Sequence, residues 1–128
     1  MSTPRPIRKY GDVTVLLERH EEGYRRTWIH HIKQGSETIA TLDRTHYQVA
    51  FAFAAIVDRY RNTYSDLDGN VVPTEIAVDG KPAIASYLHG IQQQSKSEIA
   101  ELMDVKDDTV TKYLQRFRKP SEEYLSFP

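Results

Sequence analysis

The chain has no cysteine in its 128 residues. Disulfide staples and thiolate metal sites are therefore excluded, and a reducing compartment, the cytoplasm, is the expected location. Long apolar runs are also missing. The longest, Val49–Val57, falls well short of the roughly 20 residues a membrane-spanning helix needs, so no membrane partner is expected. The opening MSTPRPIRKYG lacks the apolar centre of a secretory leader. Neither sign of charge is in excess, since 17 Lys and Arg stand against 18 Asp and Glu for a formal net charge of −1. A chain so balanced has no global pull on nucleic acid. Any such binding must come from a local basic patch.

Catalytic signatures are absent too. There is no P-loop, no dinucleotide fingerprint and no nucleophile elbow. The histidines, His20, His30, His31, His46 and His89, show no metal-ligand spacing. His30 and His31 are neighbours on an expected strand and face opposite sides, so they cannot hold one ion together. Asp66–Asn70 has the acidic alternation of a calcium loop but lacks glycine at the sixth place and glutamate at the twelfth; it reads as a turn. Glu21-Glu22 and Glu122-Glu123 read as solvated charge. The expectation is a protein that is not an enzyme and has no cofactor and no metal site.

What is present is ordinary globular composition, 39% apolar and 27% charged. The length suits one compact domain or two very small ones sharing a core. Alternation marks strands at Val13–Arg19, Thr27–Ile32 and Thr38–Leu42, reversed at Glu21-Glu22-Gly23 and Gln34-Gly35-Ser36. These spacings predict a three-stranded antiparallel meander. Val13, Val15 and Leu17 share one side of it, and Trp28 and Ile32 share a face. Residues Met1–Lys9 read as a loose arm, with Arg5, Arg8 and Lys9 available to phosphate or a minor groove.

Thr45 and Gln48 fit a capping box opening a helix that runs to about Asn62. Its middle is apolar on most of its circumference, so one side can lie on the sheet and the other needs a second partner. Ala50, Phe51, Ala54 and Val57 are the candidate dimer seam, because two alanines four apart let helices approach closely. Packing against Ile84, Leu88 and Ile91 of the same chain is the equally open alternative. Residues 64–81 form a connector in which Glu75–Val78 is either a short strand or a turn of helix. Pro82 suits the first residue of a helix, with Ile84, Tyr87, Leu88 and Ile91 at i, i+3, i+4 and i+7, ending near Gln94. Ser95 and Glu98 form a second capping box. Pro120 stops the last helix, and the tail SEEYLSFP is apolar enough to fold back on the body.

The segment Lys96–Phe117, KSEIAELMDVKDDTVTKYLQRF, reads as two short helices joined by a tight turn. Ile99, Met103, Val105, Val110 and Tyr113 point inward, and Ala100 sits where the helices press closest. Lys106, Asp107, Asp108, Thr111, Lys112 and Gln115 point outward. Through Glu98-Ile99-Ala100-Glu101-Leu102, Val105, Thr109-Val110 and Tyr113-Leu114, residues 82–117 resemble the DNA-binding part of small bacterial and archaeal helix-turn-helix transcription regulators. Two positions depart from that pattern. Lys106 stands where a capping serine is usual, so Asp107 or Asp108 must cap. Asp104 replaces the usual glycine and tolerates a left-handed backbone.

The resemblance implies sequence-specific binding of double-stranded DNA, with the second helix in the major groove. The DNA-facing set is then Lys96, Lys106, Asp108, Thr109, Thr111, Lys112, Gln115, Arg116, Arg118 and Lys119. Gln115 suits adenine, Lys112 guanine or phosphate, and Thr111 a thymine methyl or phosphate. Lys96, Arg116, Arg118 and Lys119 would anchor the backbone on either side. The few residues after Pro120 do not suffice for a winged hairpin. Such regulators commonly pair, so that two recognition helices meet successive grooves about 34 Å apart. The expected fold is therefore α+β, with a three-stranded antiparallel meander and long helix (10–63) that supports or pairs the chain. The connector (64–81) and a three-helix helix-turn-helix module (82–119) follow it. The expected role is a homodimeric transcriptional regulator. The alternative is a protein-interaction adaptor built on a degenerate form of the same helices.

Overall fold

A computed structural model describes residues 3–43, 46–60 and 72–125. Four strands come first: β1 (Arg5–Tyr10), β2 (Val13–Glu22), β3 (Arg25–Gln34) and β4 (Glu37–Asp43). Each joins the next through a two-residue hairpin loop. Such loops favour residues with positive φ, because that twist matches the strands; Gly11 and Gly35 take φ of 61° and 60°. The Gly35 amide also donates to the Asp12 carbonyl at 3.0 Å, tying two loops together. Five helices follow: α1 (Tyr47–Arg59), α2 (Thr74–Ala77), α3 (Lys81–Gly90), α4 (Lys96–Met103) and α5 (Asp107–Arg118). The chain closes with β5 (Glu122–Tyr124), which adds to the outer side of β1. The antiparallel sheet runs β4-β3-β2-β1-β5.

This corrects the expected architecture in three ways. The sheet has five strands, because the arginine-rich N-terminal segment is β1 rather than a loose arm, and because the tail pairs with it as β5. Among the described residues the helical half has five helices; Thr74–Ala77 settles as a turn of helix that buries Ile76. The helices are not a separate three-helix module. One continuous core runs from Tyr10, Val13, Val15 and Ile32 on the sheet, through α1, to Ile99, Val110, Leu114 and Phe117. Strand pairing places Val15 opposite Ile32 and Leu17 opposite His30, so one pleat face collects the apolar side chains. The opposite face carries the hydrogen bond of 2.9 Å between His31 Nε2 and Glu18 Oε1.

Helix α1 lies at the centre of this arrangement. His46 is its N-cap, with Nδ1 accepting from the Gln48 amide at 3.2 Å; Thr45 lies outside the described residues. The helix ends at Arg59, earlier than the expected Asn62, and the turn read at Asp66–Asn70 also falls outside them. The sheet, α3 and α5 surround α1, which explains its apolar circumference within a single chain. The expected dimer seam is corrected accordingly. Ala50, Ala54 and Val57 have no exposed surface and Phe51 almost none. The Phe51 ring is roofed by the guanidinium groups of Arg8 and Arg118, 5.0 and 5.6 Å from its centroid. These side chains are buried within the one chain instead. Where α3 ends, a methyl on Gly90 would stand 2.5 Å from the backbone nitrogen of Phe53.

Candidate nucleic-acid interface

The α4–α5 pair is built from local signals. Ser95 Oγ accepts from the Glu98 amide and Glu98 Oε1 accepts from the Ser95 amide, both at 3.1 Å, completing the capping box. These bonds from Ser95 hold the exposed Glu98 carboxyl below the usual carboxylate range. The exit from α4 turns on Asp104, at φ 57° and ψ 50°. There the Val105 amide donates to the Ala100 carbonyl at 2.9 Å and the Asp104 amide to the Glu101 carbonyl at 3.3 Å, the bonding of a Schellman closure. Lys106 is the N-cap of α5 and contributes no side-chain bond; neither Asp107 nor Asp108 takes that place. Both occupy the first turn, where negative charge favours the helix dipole. Asp107 Oδ2 also accepts from Ser97 Oγ at 2.8 Å, pinning the start of α5 to the start of α4.

Ile99, Ala100, Val110, Leu114 and Phe117 are buried, while Met103, Val105 and Tyr113 pack partly against them. Leu114 and Phe117 are deeper anchors than Tyr113, and the spacing of Val110, Leu114 and Phe117 at i, i+4 and i+7 is the signal that marks them. Phe117 is stacked on Tyr60 with ring centroids 6.3 Å apart and carries the Arg59 guanidinium 4.2 Å above its ring. These contacts fix the C-terminal end of α5 against the end of α1.

Of the expected DNA-facing residues, Lys106, Asp108, Lys112, Gln115, Arg116 and Lys119 are exposed, and Lys96, Thr109 and Thr111 are half-buried. Asp108, Lys112, Gln115 and Lys119 recur at helical spacing along one outer stripe of α5, with Arg116 beside it. Thr111 Oγ1 donates to the Asp107 carbonyl at 3.3 Å. Arg118 does not belong to this surface. Its side chain is 11% exposed, with Nε 3.5 Å from Glu122 Oε2 and the guanidinium over Phe51. It joins α5 to the sheet instead of reaching a phosphate. The exposed pair of helices is not uniformly basic. Glu98, Glu101 and Asp104 sit on α4 and its turn, Asp107 and Asp108 begin α5, and Lys112, Arg116 and Lys119 follow in its C-terminal two turns.

Among the described residues there is no group of three or more histidines and carboxylates placed to hold a metal ion. No described helix is long and apolar enough to cross a membrane. Comparisons with protein-family models, curated proteins and solved structures return no match to this chain.

Proposed function

We propose that the outer stripe of α5 binds duplex DNA in the major groove and that the protein regulates transcription. The observation that carries this reading is the separation of roles along α5. Val110, Leu114 and Phe117 lock it to the body, while Lys112, Gln115, Arg116 and Lys119 stand free on its outer side. A rigid helix with amide and cationic side chains on its outer face is suited to reading base edges between phosphates. A cysteine-free chain is at home in the reducing compartment where DNA lies. Recognition of a two-fold site requires pairing through a surface other than α1. The outer edge of β4, which no described strand covers, is the candidate.

Fluorescence anisotropy on labelled random duplex, followed by selection of preferred sites, tests this reading. Lys96, Lys106, Lys112, Arg116 and Lys119 allow up to five phosphate contacts per copy. The logarithm of affinity should then fall against log salt with a slope as steep as about −4.5. Lys112→Ala and Gln115→Ala should each cost about 1–3 kcal/mol on the selected site if they touch bases. Absence of binding at low salt would reject the reading. It would favour a protein-docking role, for which Leu102, 66% exposed on α4, and the acidic neighbours Glu98 and Glu101 are the pertinent features.

A further inference from the structure

Helix α1 is capped by a side chain that titrates. His46, the N-cap at φ −62° and ψ 142°, accepts from the Gln48 amide through Nδ1 at 3.2 Å. That bond requires an unprotonated Nδ1, so the ring is neutral with its proton on Nε2. The cap of α4 makes the contrast. There Ser95 Oγ accepts from the Glu98 amide, and a hydroxyl does not lose its acceptor as the pH falls. A proton on His46 Nδ1 would set donor against donor at the Gln48 amide. It would also put a positive charge at the positive end of the helix dipole, and the first turn of α1 has no carboxylate to offset it.

The surroundings push the same way. Among the described residues, the titratable groups that bear on His46 come from three elements: Lys96 and Glu98 of α4, His89 of α3 and His30 of β3. Glu98 is the one anion in this set, and its Oε1 is already taken by the Ser95 amide at 3.1 Å. Partial burial and the Lys96 charge hold the His46 imidazole below the ordinary histidine range. His30 and His89 are 2% and 5% exposed, and His30 Nδ1 and His89 Nε2 have no hydrogen-bond partner. Burial lowers both of these rings too. His46 and His31 add to the effect at His30; at His89 the bond to the Gln94 carbonyl opposes it, while Lys96, His46 and Arg118 reinforce it. A proton on either enclosed ring costs the burial of a charge, whereas the exposed His46 takes one without any unfolding.

We propose that the start of α1 is a pH-sensitive latch: in mild acid, protonation of His46 breaks the cap and frees the first turn, while the rest of the helix stays in place. The release is bounded by burial. Val49, Ala50 and Phe51 are buried, so the helix from Val49 onward stays anchored, and His46, Tyr47 and Gln48 are the residues that move. The His46 and Tyr47 rings, 4.3 Å apart, leave together. Tyr47 then gives up its edge contact with the Phe51 ring at 5.5 Å. Their departure enlarges the apolar surface at Leu17, Trp28 and Phe51, which share that corner of the molecule. The latch does not depend on the proposed DNA binding and is tested without DNA.

The full chain labelled with ¹⁵N and ¹³C is titrated from pH 7.5 to 5.0. The Gln48 amide resonance should move with the same midpoint as the His46 ring, below 6.5, and the Tyr47–Phe51 ring contact seen at pH 7.5 should fade at 5.0. The Val49 amide donates to the His46 carbonyl at 3.0 Å; its protection against exchange should fall at least about fivefold over the same range, the size of a lost cap. His46→Asp supplies an acceptor that stays ionised to about pH 4, so in that variant the Gln48 amide should hold its position to pH 5.0. A Gln48 amide that does not move, or that titrates apart from the His46 ring, would overturn the proposal. So would a shift that persists in His46→Asp, which would place the proton on His30 or His89. Loss of the whole spectrum at once would overturn it in favour of global acid unfolding.

Discussion

Replacing Gly90 by alanine tests the close approach of α3 to α1. The added methyl would lie 2.5 Å from the Phe53 nitrogen, 2.8 Å from the Ala52 carbonyl carbon and 2.9 Å from the Phe53 Cα. All three are backbone atoms of α1, so no change of rotamer relieves the overlap, and α3 must withdraw by roughly 1 Å to reach ordinary contact distances. Overpacking of this kind costs about 1–3 kcal/mol, occasionally more, and withdrawal also loosens the seam where Ala83 and Ala85 lie buried. Alanine is the better helix former by about 1 kcal/mol, which opposes the loss but does not match it. With contacts this close the upper part of that range applies, and the net expectation is a destabilisation of about 1–2 kcal/mol, read as a fall in the urea midpoint of about 0.5–1 M at an ordinary m-value for this size. Gly90→Ser should cost more than Gly90→Ala, because the clash grows while the propensity gain shrinks. An alanine variant as stable as the parent would refute the close approach of α1 and α3.

Other consequences follow from buried polar contacts. Tyr10 Oη donates to Glu122 Oε2 at 2.5 Å, and Tyr10→Phe should cost about 1.5–3 kcal/mol, the range for a bond to a charged group. Hydrogen exchange should then quicken at the amides pairing β1 with β5; unchanged protection there would sink the idea that this bond holds β5. Asp104→Gly should stabilise by about 0.5–1 kcal/mol, since glycine takes the left-handed conformation without the Cβ penalty. Asp104→Ala should destabilise, and the reverse order in urea denaturation would contradict the observed turn. Burial holds the His30 and His89 imidazoles below the ordinary 6.5. Above that pH both folded and unfolded states are neutral and these groups leave stability flat. As the pH falls below it, the unfolded chain takes up protons that the folded one refuses. Stability should then drop by up to about 1.4 kcal/mol per pH unit for each imidazole. Urea midpoints at pH 7.5, 6.5 and 5.5 would show this, and His89→Gln should make the slope shallower without abolishing it, since His30 and His46 are also held down by burial; a flat profile would mean that neither ring is as enclosed as observed.

Much of the local structure was legible because it depends on residues within a turn of one another. The Ser95–Glu98 cap, the break at Asp104 and the alternation of Val13, Val15 and Leu17 all carry their reason in adjacent positions. The first strand was not legible. Pro4, Arg5, Pro6 and Arg8 show no clean alternation, and a bulge between Pro6 and Arg8 breaks what period there is. Pro6 is tolerated because β5 pairs only with Arg8–Tyr10, so the proline occupies a stretch of β1 with one open side. Arg118 looked like a phosphate anchor beside Arg116 and Lys119, and only the approach of Phe51 and Glu122 turned it inward. The unpartnered Nδ1 of His30 was equally invisible, since nothing nearby in the chain reveals which polar atoms lack a bond after folding.

The amino-acid order alone therefore marked the capped start of α4, the reversals at Gly23 and Gly35, and that α1 must be covered on more than one side. Those outcomes follow from caps, turn backbones and apolar period, all short-range. Tertiary structure decided what does the covering: α3 drawn in by Gly90, the sheet beneath, and α5 held at Phe117. It also joined the two ends of the chain as β1 and β5. Partner choice of that kind is settled by which distant surfaces exclude water together, a long-range competition that no local pattern encodes.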